Sequence, residues 1–69
     1  MKYTAWTEHE TIATGNTMEE CLKGIYEVAS IEDVIEWNIW ITAENAEEEY
    51  SEDFCSTDVY DMLNAMLAE

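Results

Sequence analysis

Seventeen side chains of this 69-residue chain are Asp or Glu and only two, Lys2 and Lys23, are basic. That leaves a formal net charge of −15, which alone points to disorder unless the chain also holds enough large apolar groups to offset chain entropy and self-repulsion. Enough apolar material is present for a core, because 48% of the residues are hydrophobic, with three Trp, four Tyr and one Phe, and there is no proline. That composition sets the chain apart from disordered acidic segments, which lack large apolar groups. A single domain spanning residues 1–69 is expected, small enough that its stability depends on close packing, a partner or a dimer interface.

Lys2 to Thr7 and Thr11 to Thr14 are rich in Thr, Tyr, Trp and Ile and alternate loosely, which predicts a hairpin turning at Glu8 to Glu10. Gly15 and Asn16 end it. Thr17 and Glu20 then have the spacing of a capping box, and Met18, Cys21, Leu22, Ile25, Val28 and Ala29 recur at helical intervals, predicting a helix over 18–29. Ser30 to Asp33 read as a turn or a single helical turn. From Val34 to Ala43 the period changes to two, with Ile35, Trp37, Ile39, Ile41 and Ala43 on one face of a half-buried strand. Glu49 to Phe54 read as a short strand or an acidic loop. Ser56 is placed to cap a last helix, whose apolar stripe is Val59, Met62, Leu63, Met66 and Leu67. The expected fold is α+β, a small antiparallel sheet in the order β-β-α-β-(β)-α, with two amphipathic helices packed on one face.

The residues offer little to catalysis. Gly15 and Gly24 are the only glycines, so no phosphate loop exists, and His9, the single histidine, has no Ser or Cys neighbour with which to form a nucleophile pair. Close carboxylate pairs are expected by chance among seventeen acids. Glu47, Glu48, Glu49, Glu52 and Asp53 offer oxygen atoms to a hard cation but lack EF-hand spacing, so no metal or cofactor site is assigned. Cys21 and Cys55 fit neither a disulfide framework nor a metal pattern; both read as reduced thiols, with a single bridge between them as the alternative. No run approaches the length of a membrane span and the first residues carry no signal-peptide pattern, so a cytoplasmic location and no membrane contact are expected.

Charge is the strongest functional signal. A folded chain of this length has an expected diameter of ~28 Å, and the same charge of fifteen on B-DNA occupies ~25 Å of duplex. With two lysines and a net charge of −15, direct nucleic-acid binding is excluded by repulsion, and the favoured partner is a basic surface of the kind that holds DNA or RNA. Acid is densest in the second half, where Glu44, Glu47, Glu48, Glu49, Glu52 and Asp53 lie close together and Asp58 and Asp61 follow on the last helix. Trp40, and after it Tyr50 and Phe54 within the acidic stretch, are the aromatic candidates for anchoring a partner there. Trp40 lies on the polar face of its strand and is either an anchor or, if that face is covered, core. Trp37 reads as core. The Met62, Leu63, Met66 and Leu67 stripe reads as core, with a homodimer contact as the alternative.

In charge and size the whole chain resembles the small acidic proteins of phages and mobile elements that act as DNA mimics, including anti-restriction and anti-CRISPR inhibitors. That resemblance implies a non-enzymatic inhibitor occupying the basic groove of a host defence nuclease complex or another nucleic-acid-binding protein. A second resemblance is local. The segment from Ile12 to Leu22, IATGNTMEECL, following a hairpin and leading into a helix, is similar to the HicB class of antitoxins, which implies an antitoxin-like or adaptor module that neutralises a basic RNA-cleaving partner.

Overall fold

A computed structural model describes all of residues 1–69 and contains seven elements: β1 (Lys2–Trp6), β2 (Thr11–Gly15), α1 (Met18–Val28), α2 (Ile31–Glu36), β3 (Trp40–Asn45), β4 (Tyr50–Phe54) and α3 (Ser56–Leu67). The four strands form one antiparallel sheet in the order β2-β1-β3-β4, so the expected α+β fold is present and the acidic segment 50–54 is a strand at the sheet edge. Ala5, Ile41 and Ala43 point from the central strands into a core completed by Cys21, Leu22 and Ile25 of α1, Val34 of α2 and Val59 and Leu63 of α3. Helices thus cover one face of the sheet and leave the other open. Gly24 lets α1 approach β2 closely, since a Cβ there would lie 2.9 Å from that of Ala13.

Three helices are present where two were expected, and the extra one corrects the reading of residues 34–39. Ser30 caps α2 with a reciprocal box, accepting from the Asp33 N–H at 3.4 Å while the Asp33 carboxylate accepts from the Ser30 N–H at 3.0 Å. The helix ends in a Schellman turn: Asn38 adopts a left-handed φ of 53°, its N–H donates to the Ile35 carbonyl, and the Ile39 N–H donates to that of Val34. Val34 and Ile39 both enter the core, the apolar contact that accompanies this motif. β3 therefore starts at Trp40. Ile35 and Trp37, expected on the buried face of a strand, are exposed on a helix and its C-terminal turn.

Smaller corrections concern caps and edges. Thr17 accepts from the Glu20 N–H at 3.1 Å as expected, but the Glu20 carboxylate meets the N–H of Asn16, at 3.5 Å, rather than that of Thr17. Ser56 is the first residue of α3, whose N-cap is Cys55 with no side-chain capping bond. Val28, placed in the core stripe of α1 by its spacing, is exposed, as is Leu67 of α3.

Both cysteines are unpaired, Cys21 buried and Cys55 exposed. Burial pushes the Cys21 thiol up to about 11, which leaves a thiolate fraction of roughly one in a thousand at pH 8. An aromatic disulfide reagent at pH 8 is expected to titrate one thiol per native chain quickly and the second only after unfolding. Equal rapid reaction of both would contradict the placement of Cys21.

Candidate partner-binding surface

On the open side of the sheet, strand register decides which side chains meet. Trp6 of β1 stands opposite Trp40 of β3, Thr4 opposite Thr42 and Lys2 opposite Glu44. On β4, Asp53 stands opposite Thr42 and Ser51 opposite Glu44. The Trp6 Nε1–H donates to Thr42 Oγ1 at 3.2 Å, and the Thr42 hydroxyl donates to Asp53 Oδ1 at 2.8 Å. This relay crosses three strands and fixes the Trp6 indole on the sheet surface. Trp6 and Trp40 are both half-buried with no helix above them. Trp40 is therefore not covered core; it forms a cross-strand aromatic pair on an uncovered face.

The acidic segment between β3 and β4 is a tight turn at the opposite end of the sheet from this pair. Asn45 organises it, its Oδ1 accepting from the Glu47 N–H at 3.1 Å and its carbonyl from the Glu48 N–H at 3.2 Å. Glu49 completes the turn with a left-handed φ of 52°, and Glu47, Glu48 and Glu49 are all exposed. Their N–H and C=O groups are directed by the turn while their carboxylates stand in water. From Trp40 to Asn45 the strand climbs ~17 Å, so the hairpin tip and the tryptophan pair are two separate features.

Between them runs β4, whose alternation divides the remaining candidates. Asp53 faces the open side, whereas Tyr50, Glu52 and Phe54 share the register of the helix-covered side. The Tyr50 hydroxyl donates to the Glu52 carboxylate, and this bond to an anionic acceptor raises its pKa. Both residues are exposed. Asp58 and Asp61 are exposed on α3, and Asp58 lies in its first turn, where the helix dipole favours an anion.

Together these placements make a band that wraps the β4 edge rather than one flat patch. Glu44, Asp53 and Trp40 belong to the open face; Glu47, Glu48 and Glu49 form the tip; Tyr50 and Glu52 lie on the edge; Asp58 and Asp61 continue onto α3. No group of three or more His, Cys, Asp or Glu side chains converges closely enough to hold a metal ion.

Acid is also present on α1 and α2 and absent from β1 and β2. Sixteen of the seventeen carboxylates are exposed, Asp33 is half-buried, and a single ion pair, Lys23 Nζ to Glu19 Oε1 at 3.1 Å, neutralises any of them. Spread over a molecule of 34 × 29 × 18 Å, seventeen carboxylates amount to about one per 2 Å of the longest axis, against one phosphate per ~1.7 Å of duplex. On the open face the tryptophan pair lies at one end and Glu44 at the other, with Asp53 opposite Thr42 between them. Trp6 was missed from sequence. Setting β1 against β3 antiparallel, with Lys2 opposite Glu44, would have paired it with Trp40. Compared with protein-family models, curated proteins and solved structures, the chain matches none.

Proposed function

We propose that this protein is a non-enzymatic inhibitor that mimics the charge of a nucleic acid and occupies the basic DNA- or RNA-binding groove of a host defence nuclease complex, of the anti-CRISPR or anti-restriction type. One observation carries the reading: sixteen of seventeen carboxylates are exposed and only one has a cationic partner within the chain. A fold that leaves this much charge unpaired bears self-repulsion that contributes nothing to its own stability. A cationic groove recovers that energy. Counterions are released from both surfaces on contact, and the long-range field speeds encounter and sets orientation.

The Trp6–Trp40 pair supplies what charge lacks, a rigid aromatic contact with few rotatable bonds. Of the acids, Asp53 and Glu44 share its face of the sheet, while the hairpin tip lies at the other end and Asp58 and Asp61 on α3. No chemical step is assigned to any residue. Expression in a bacterium with an active restriction or CRISPR system is expected to raise the plating efficiency of a phage that the system normally excludes. The same phage on a host lacking the system should plate unchanged. Unaltered exclusion across a panel of restriction and CRISPR hosts would contradict the reading.

A further inference from the structure

At the end of the sheet opposite the acidic hairpin, the β1–β2 turn and the α2–β3 turn face one another across an open groove of about 470 Å³, six of whose eight lining residues are exposed. Its walls include the carboxylate-bearing residues Glu8, Glu10 and Glu36, the indole of Trp37 and the side chain of Ile12, with His9 as the one other titratable group. None of the three carboxylates has an ion-pair partner. Trp37 leaves 43% of its surface in water and Ile35, two residues earlier, leaves 49%. The exposed part of Trp37 is apolar surface that the fold itself does not bury; Ile35, two positions away on the helix, is not part of the lining.

Both walls are built by ordered backbone. In the first turn the Thr7 N–H donates to the Glu10 carbonyl at 2.8 Å, and Thr7 Oγ1 accepts from the Glu10 N–H at 3.2 Å and from the His9 N–H at 3.3 Å. The second wall is the Schellman turn, in which the Trp37 N–H donates to the Asp33 carbonyl at 2.8 Å and left-handed Asn38 redirects the chain into β3.

We propose that this groove is a receptor for an arginine side chain presented by a basic partner. The lining asks for a cation with a flat, weakly hydrated face, and of the two side chains that are always cationic at neutral pH the guanidinium has one. It stacks on an indole and offers paired N–H donors to carboxylates, whereas the lysine ammonium is a compact and strongly hydrated point charge. Charge complementarity selects the sign of the occupant, and the Trp37 indole selects its shape. The proposal deepens the inhibitor reading and rests on it for the source of the arginine, since nucleic-acid grooves are lined with that residue. The site itself can be tested without the partner.

The experiment is a titration of the ¹⁵N-labelled full chain at low salt with N-acetyl-arginine methylamide, and in parallel with its lysine and citrulline counterparts. The three tryptophans give three indole signals, and Trp37→Phe identifies that of Trp37. Arginine is expected to move the Trp37 indole and the amides of Thr7 to Ile12 along a saturable curve. Lysine should bind more weakly, and citrulline, which has nearly the same shape without the charge, should leave them still. Trp37→Ala is expected to weaken arginine binding roughly two- to fivefold. Glu36→Gln should weaken it more than Glu48→Gln, which removes the same charge from the far end of the sheet.

Shifts that are equal for arginine and lysine, unsaturable and scattered over the acidic surface would overturn the proposal, as would a static Trp37 signal. Arginine binding without any effect on phage exclusion would retain the pocket and remove the inhibitor reading. An effect on exclusion without arginine binding would do the reverse.

Discussion

Raising NaCl from 0.01 to 0.3 M is expected to stabilise the free protein by about 2 kcal/mol, a rise in Tm of roughly 10 °C for a domain of this size. The physical basis is the charge excess of −15 with one internal ion pair. Two unit charges ~20 Å apart in water repel by ~0.2 kcal/mol, a small amount that recurs over every pair of acids. Folding brings these charges from a chain with a radius of gyration of ~25 Å into one of 11.3 Å, so the native state carries the larger share of the repulsion. At 0.01 M the Debye length of ~30 Å leaves that repulsion nearly intact, and at 0.1 M a length of ~10 Å removes most of it. Association with a basic partner should respond in the opposite direction, slowing roughly tenfold or more over the same interval because the steering field is screened. Thermal scans and stopped-flow traces along one salt series read both. A Tm that is flat or falls with salt would mean that the carboxylates do not act as a common field.

The second large effect separates two isoleucines that share one parity in the sequence. Ile41 is fully buried on β3, opposite Ala5 on one side and Phe54 on the other. Ile41→Ala is expected to cost ~2–5 kcal/mol, because the central strand cannot shift to close the cavity that is left. A single core of this size supplies about 3–5 kcal/mol, so the variant should be largely unfolded at 37 °C. Ile35→Ala, at an exposed position of α2, should change stability by less than ~0.5 kcal/mol, with the higher helix propensity of Ala acting in its favour. Urea denaturation followed by circular dichroism measures both. Comparable losses for the two variants would restore a continuous strand from residue 34 and contradict the helix and turn described above.

That pair also shows how far sequence reading reached. The helices α1 and α3 were legible because their apolar periods recur over the element, as in Met18, Cys21, Leu22 and Ile25, and the hairpin because its Thr, Tyr, Trp and Ile content favours strands on either side of a turn. Residues 34–39 were not, because a six-residue helix followed by a turn and a strand leaves isoleucines at even spacing by coincidence. Two local signals marked the true arrangement: Ser30 with Asp33 as a capping box, and Asn38, a residue that tolerates the left-handed backbone ending the helix.

The acidic candidates were legible as a charge excess that is densest in the second half of the chain. Their grouping was not, because it depends on β4 alternation, which sends Asp53 to one side of the sheet and Glu52 to the other. Trp6 and Trp37 went unnoticed as surface residues for a related reason. Each becomes meaningful only through a partner distant in sequence, Trp40 for the first and the β1–β2 turn for the second.

The most direct test of the central claim is capture from bacterial lysate at low salt on the immobilised protein, with elution by a salt gradient and, in parallel, by duplex DNA or RNA at matched ionic strength. The expected result is a defined nucleic-acid-binding protein that leaves at moderate salt and is displaced by duplex DNA; displacement by RNA alone would move the assignment to a basic RNA-cleaving partner. A nonspecific series of basic proteins eluting in order of their charge, or a bound protein that neither nucleic acid displaces, would contradict occupation of a nucleic-acid groove.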